Sequence, residues 1–167
     1  MEGGNHDSTD WVERGRELSD ETIAEVLRRR GHGVLSAAVD GDVVARPMSF
    51  GVDGDDLYFQ LAAPAESNAS RFAATDGPVE LVVSAVESVD DWHSVVVRGR
   101  LVPVAADEES RAFRALADNA VLPQNALGVG ECREFRLARL AVESATGREG
   151  PASSLGSGGP APPNASD

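Results

Sequence analysis

Apolar residues in this chain come in short, valine-rich runs set off by turn residues. GVLSAAV (33–39), VVARPMSFGV (43–52) and DLYFQLA (56–62) are separated by Asp40-Gly41-Asp42 and Asp53-Gly54-Asp55. An aspartate–glycine link between apolar runs is a hairpin signal, because glycine readily takes the positive φ of a tight turn. The pattern predicts a three-strand antiparallel meander. PVELVVSAV (78–86) and HSVVVRGRLVPVA (93–105), joined by the acidic loop ESVDDW, predict two more strands. CREFRLARLAVESA (132–145) predicts a sixth, with Phe135, Leu137 and Leu140 interleaved with Arg133, Arg136 and Arg139.

Helical stretches punctuate these runs. Ser19 is a good N-cap, and Asp20 and Glu21 suit the positive end of a helix dipole. Leu18 and Ile23 have the spacing of a hydrophobic staple; Ile23, Val26 and Leu27 form a stripe, and Gly31 reads as the stop. A helix over roughly 20–30 follows. AESNASRFAAT (65–75) and DEESRAFRALAD (107–118) predict two more, the latter with Phe113 and Leu116 on one face. The last residues turn to Gly, Pro, Ala and Ser, which bury too little apolar surface to offset the entropy of ordering. The expected organisation is a flexible acidic segment (1–17), one domain (18–148) and a disordered tail (149–167). The fold class is mainly β (α+β): a six-stranded antiparallel barrel with a few short helices, closed so that strand edges are not left exposed. A half-open barrel would cover its valine-rich faces by pairing with a second copy.

Arg46-Pro47 is the irregular feature of the second run. Proline cannot donate to a strand ladder, so Pro47 marks an edge strand, or a strand whose backbone faces something other than a neighbour. Other chemistry is sparse. Cys132 is the sole cysteine, which excludes an intrachain disulfide and suits a reducing cytoplasm; it reads as a half-buried structural residue. His6, His32 and His93 show no metal-ligand spacing. His32 reads as part of the turn after the first helix, and His93 as an exposed loop residue. No Ser-His-Asp arrangement is evident, and the chain contains no lysine to form a Schiff base.

The order of elements resembles the pyridoxamine phosphate oxidase-like flavin-binding split barrels, over roughly residues 18–148. Four patterns carry the resemblance: GHGVLSAAVDGDVVARPMSF, DLYFQLA with the polar segment after it, WHSVVVRGRLVPV, and the closing ATGREG. The resemblance implies a homodimer with FMN at the subunit interface and a small-molecule substrate. It places Arg46, Pro47, Met48, Ser49 and Phe50 beside the flavin ring, and Gln60 and Leu61 on the phosphate side. Ser67, Asn68, Ser70 and Arg71 fall in the phosphate segment, and Trp92 and Ser94 approach the ring. Asn68-Ala69 stands where many members carry a basic pair, which leaves Arg71, or Arg46, to meet the phosphate. The implied activity is an FMN-dependent oxidoreductase working by hydride transfer. The alternatives are a non-catalytic flavin carrier, store or sensor, and a relative that uses a deazaflavin or binds haem. Haem would call on His32 or His93 as axial ligand.

Charge adds a last constraint. There are 28 acidic residues against 15 basic ones, all arginine, for a net charge of −13. Such acidity repels a nucleic-acid backbone. No apolar stretch approaches the roughly 20 residues of a membrane span. The acids are spread along the chain rather than gathered in a tail, which points to the cytoplasm of a salt-adapted organism and a haloarchaeal-type member of the family. At molar salt the Debye length is about 3 Å, so this self-repulsion is largely screened. The protein is therefore expected to melt at a lower temperature in dilute buffer than in molar salt; equal melting temperatures would remove the salt-adapted reading.

Overall fold

The computed structural model describes residues 15–62, 72, 75–121 and 135–153. The expected 65–75 helix (apart from Phe72 and Thr75) and Cys132 lie outside the described residues. The first helix, α1 (Asp20–Arg30), has the expected ends. The Ser19 hydroxyl accepts the Thr22 N–H at 3.2 Å. Gly31 takes a left-handed conformation and donates its N–H to the Leu27 carbonyl.

The strands are β1 (Arg16–Glu17), β2 (His32–Val39), β3 (Asp42–Ser49), β4 (Gly51–Asp53), β5 (Asp56–Ala62), β6 (Val79–Val86), β7 (Trp92–Pro103) and β8 (Phe135–Glu149). A second helix, α2 (Glu109–Asn119), precedes β8. Every pairing is antiparallel. The order is β3-β2-β6-β7-β8-β5-β4, with β1 added against β8. Since β4 follows β3 directly in the chain, the two ends of this order are one stretch of backbone, and the sheet curls back on itself as a split barrel. The β2–β3 turn is the expected tight one, with Asp40 and Gly41 both at positive φ.

Several expectations are corrected. The six strands become eight among the described residues. The second run is two strands, because the chain changes neighbour at Phe50: β3 pairs with β2, and β4 pairs with β5. The three-strand meander is therefore broken in its middle member. Strand β1 is too short to leave a periodic signal. The last strand runs to Glu149, beyond the expected end at 145. Its interior residues are Ala138 and Leu140, while Leu137 packs beside Tyr58 under α2. Strand β8 is covered on both faces there, so apolar–polar alternation cannot reveal which face is which.

Phe113 does not face the barrel either; it is 53% exposed, and the buried residues of α2 are Ala112 and Ala115. The reason is close approach. A Cβ on Gly51 of β4 would lie 2.4 Å from the Ala115 carbonyl carbon, so helix and strand touch backbone to backbone and only alanine fits between. The tail is ordered further than its composition suggests. Gly150 donates its N–H to the Trp92 carbonyl at 2.7 Å, Ala152 to Asp90 at 2.9 Å, and Ser153 is buried.

The core lies inside the barrel, where Leu35, Phe50, Phe59, Leu81, Val95 and Val97 are fully buried. The Phe50 and Phe59 rings meet at 6.0 Å just where β3 gives way to β4. Leu18, just before α1, and Ile23, Val26 and Leu27 of α1 belong to the same cluster. Gly147 of β8 lies under that helix: a Cβ there would reach within 2.8 Å of the Leu18 side chain. Among the described residues no helix is long and apolar enough to cross a membrane.

Candidate functional site

The stretches 46–50 and 60–61 take their positions from the change of neighbour at Phe50. Strand β4 pairs with β5 through Gly51↔Tyr58. Continuing that register would set Ser49 opposite Gln60. Instead the strand ladder of β3 runs to β2, and that of β5, among the described residues, runs on with β8. The ladder between the two stretches stops there, with Arg46, Pro47 and Ser49 on one side and Gln60 on the other. The Phe50 N–H, at the kink, donates to the Gly31 carbonyl at 2.9 Å, which ties this point to the end of α1.

Proline suits this position. Strand β3 ends the strand order and, among the described strands, pairs with β2 only, so Pro47 sits on an edge strand where a missing N–H is tolerated. Its ring is exposed. Met48, Phe50 and Leu61 point into the barrel and are buried, so what they offer a ligand is backbone. Ser49 is buried and Gln60 half-buried. Arg46 differs from its neighbours. It lies on the interior side of β3, between the buried Val44 and Met48 and opposite the buried Leu35. It is half-buried, yet its guanidinium makes no ion pair or hydrogen bond with any described residue. In a chain with 28 acidic residues, an inward guanidinium without a counterion among the described residues is suited to an anion. Ser67, Asn68, Ser70 and Arg71 lie outside the described residues.

Trp92 and Ser94 sit elsewhere on the chain. Both belong to the outward face of β7, where Ser94 is opposite Ser84 on one side and Arg148 on the other. Strand β7 is three strand spacings from β3, roughly 14 Å, and two from β5. Neither Trp92 nor Ser94 stands on a strand that pairs with β3. The same outward face carries an apolar row crossing four strands: Pro47, Val34, Val82 and Val96 stand opposite one another in turn. Val34 is 41% exposed.

The two histidines separate cleanly. His93 is a buried strand residue, which corrects its reading as an exposed loop position; the signal was its place two residues before a valine run, on the inward phase of β7. Its Nε2 accepts from the Arg30 Nε at 3.3 Å, so the neutral ring carries its proton on Nδ1. Burial pushes the imidazole below its ordinary value; Arg30 adds to this, against the carboxylates of Asp91, Glu149 and Glu87. His32 is exposed on the outward face of β2, with Nδ1 2.8 Å from the Arg30 carbonyl. A carbonyl only accepts, so Nδ1 donates and the Nε2 lone pair is left over. Among the described residues no group of three or more His, Cys, Asp or Glu could hold a metal ion.

An antiparallel sheet whose two end strands are one stretch of backbone is the architecture of the split-barrel class. The chain belongs to the pyridoxamine 5'-phosphate oxidase family, whose sequence profile matches residues 19–149. None of the curated proteins matches this sequence. Among solved structures, an FAD-binding protein from Mesorhizobium loti is similar, with a TM-score of 0.64 and 22% identity over 81% of this chain and 97% of that one. An FAD-binding protein from Mycobacterium smegmatis gives 0.63 and 22% over 81% and 98%. An FAD- and haem-binding protein from the same organism gives 0.61 and 20% over 83% and 74%. At these identities the likeness is one of fold.

The buried imidazole has a pH signature. Its folded-state pKa is depressed, so between that value and about 6.5 the unfolded chain binds the extra proton and folding stability rises with pH; above about 6.5 the effect is complete. Wild type minus His93→Gln, compared by denaturant unfolding, is expected to show stability lost as pH falls through this window. A pH-independent difference would show that His93 titrates as it does in the unfolded chain.

Proposed function

We propose that the chain is an FMN-binding oxidoreductase that works as a homodimer, each flavin lying in the split of one subunit and against Trp92 and Ser94 of the other. The observation that carries this reading is Arg46: half-buried, inward-facing and without a partner among the described residues. A phosphate monoester carries about −1.5 to −2 charges near neutral pH, and a planar guanidinium matches it in charge and shape. Family membership and flavin-binding structural neighbours support the same ligand class. Pro47 fits it as well, since an edge strand can offer its remaining backbone groups to a ring.

A second copy supplies what one chain lacks. Trp92 and Ser94 stand on a strand that does not pair with β3, and the outward row Pro47–Val34–Val82–Val96, exposed at Pro47 and Val34 and half-buried at Val82 and Val96, is an apolar surface suited to burial. FMN would supply the hydride chemistry when bound. The residues of this chain would hold the phosphate (Arg46, with Arg71 and the Ser67 and Ser70 hydroxyls), align the ring (Pro47 to Phe50 backbone, Gln60) and keep water from its covered face. None of these tasks needs a side-chain acid or base, so a non-catalytic flavin carrier with the same contacts is separated from the enzyme by turnover alone.

His32 favours one other reading. Its Nδ1 is held by a backbone carbonyl, which leaves Nε2 oriented outward beside Val34, the usual arrangement for an imidazole metal ligand. His93 is unsuited to that task because its Nε2 already accepts from Arg30. Haem on this face would use His32.

Titration of the purified protein with FMN, followed by absorbance and calorimetry, tests these readings. Binding is expected, with affinity falling about ten- to hundredfold in Arg46→Ala, the worth of a charge-assisted hydrogen bond. Unchanged affinity removes Arg46 from the site, and a Soret band lost in His32→Ala moves the reading to haem. Sedimentation is expected to show a dimer for wild type and a monomer for Val34→Arg. A wild-type monomer excludes the shared site.

A further inference from the structure

The segment that leads into β1 lies over Trp92, the ring that is expected against the flavin. Strand β1 itself follows at once. It is only two residues long, both exposed, and pairs with β8 through Arg16↔Glu149 and Glu17↔Arg148. Just before it, Gly15 lies on Trp92: a Cβ there would come within 2.7 Å of the indole Cη2. On the other side Gly150 abuts the same ring, where a Cβ would lie 2.8 Å from Nε1. Glycine is needed at both places because the backbone itself covers the indole.

Two ion pairs of different quality hold this segment. Arg16 meets the Oε1 of Glu149 at 2.9 Å, and the exposures are lopsided: 63% for the arginine side chain and 6% for the carboxylate. The other oxygen of Glu149 is buried without a partner. Arg16 also donates to the Ser153 carbonyl at 3.3 Å, which ties the N-terminal segment to the turn after β8. Glu17 faces Arg148 at 3.9 Å, a loose and hydrated contact of little worth. Glu17 and Arg148 share a cleft of about 350 Å³ with Asp20, Ser94, Val96 and Thr146.

We propose that Gly15–Glu17 is a strap, latched by Arg16 to the buried Glu149, that covers Trp92 and occupies Arg148 until a ligand with an anionic group displaces Glu17. The strap swings on Leu18, which is buried and whose N–H donates to the Gly147 carbonyl at 3.0 Å. The closed state is favoured because losing Arg16 strands a dry carboxylate. It remains openable because the strap buries little and its cation is largely in water. An anion at Arg148 removes one of the two contacts and leaves the latch alone. This deepens the flavin reading, since Trp92 and Ser94 are residues that reading sets against the ring; the strap itself is tested without flavin.

The test uses the full chain with Trp11→Phe, which leaves Trp92 as the sole tryptophan. Acrylamide quenching and amide hydrogen exchange are compared for this background, Arg16→Ala, Arg16→Lys and Gly15→Ala. Arg16→Ala is expected to raise Trp92 quenching and to speed exchange at Glu17 and Leu18 by about tenfold, while the β6–β7 amides stay protected. Gly15→Ala, which forces the strap off the ring, is expected to do the same, and Arg16→Lys to restore most of the protection. Quenching and exchange unchanged in both opening variants overturn the strap, as does a uniform loss of protection that includes β6–β7. If the opening signature appears but no variant binds FMN, the strap stands and the flavin reading falls.

Discussion

Residues 42–53 form one strand-like stretch that serves two neighbours. Its first part is hydrogen-bonded to β2 and its second to β5, with the exchange at Phe50. That division closes the sheet, because the two ends of the strand order are joined covalently at the kink. It also sets the split, because the ladder between the two stretches stops there. The Phe50–Phe59 contact and the hydrogen bond from Phe50 to Gly31 fix where it happens. Core packing, α1 and the candidate ligand cleft all take their positions from this point. Edge status follows too, which makes Pro47 harmless and leaves backbone groups available to a ligand.

Glycine sets how closely the covering elements come. Gly51 lets α2 lie against β4 without side chains between them. Gly147 admits Leu18 and Ile23 of α1 onto β8. In β7, Gly99 stands at the register shift opposite β8, where a Cβ would come within 2.1 Å of the Ala141 carbonyl oxygen. Such a bulge bends the longest pairing in the sheet and lets it curve round the core. Helix α1 therefore covers the barrel with Ile23, Val26 and Leu27, whereas α2 does so through backbone contact and alanines, leaving Phe113 outside.

Much of the fold was legible because it rests on local chemistry. Ser19, Gly31, Asp40-Gly41 and Gly54 each specify a cap or turn within a few residues, and the runs between them alternate as half-buried strands do. What was not legible depends on distant partners. Nothing near Phe113 announces that β4 lies too close for a phenylalanine. Nothing in residues 16–17 or 150–153 announces that β8 and Trp92 will hold them. For the candidate site, the resemblance singled out Arg46 and Pro47, and the structure adds the reason they stand out: one is an inward cation without a described partner, the other an exposed ring on an edge strand. His93 was misread because a loop and the first residues of a strand look alike when the preceding turn is acidic and polar. Its inward phase becomes visible only by counting back from Val95 and Val97.

Strand β8 pairs with β7 along most of its length, with β5 over its first part and with β1 at its end. It is the last strand of the sheet to be made, so during synthesis the ribosome must release residues 135–149 before any closed sheet exists. Until then β5 and β7 wait with unsatisfied backbone edges, and the hairpins made earlier have no floor to settle on. Pairing of this kind brings together segments far apart in sequence, which slows folding and lengthens exposure to aggregation. A premature stop before Phe135 would leave a nascent chain with most of its secondary structure and no way to shut, a natural client for chaperones and proteases.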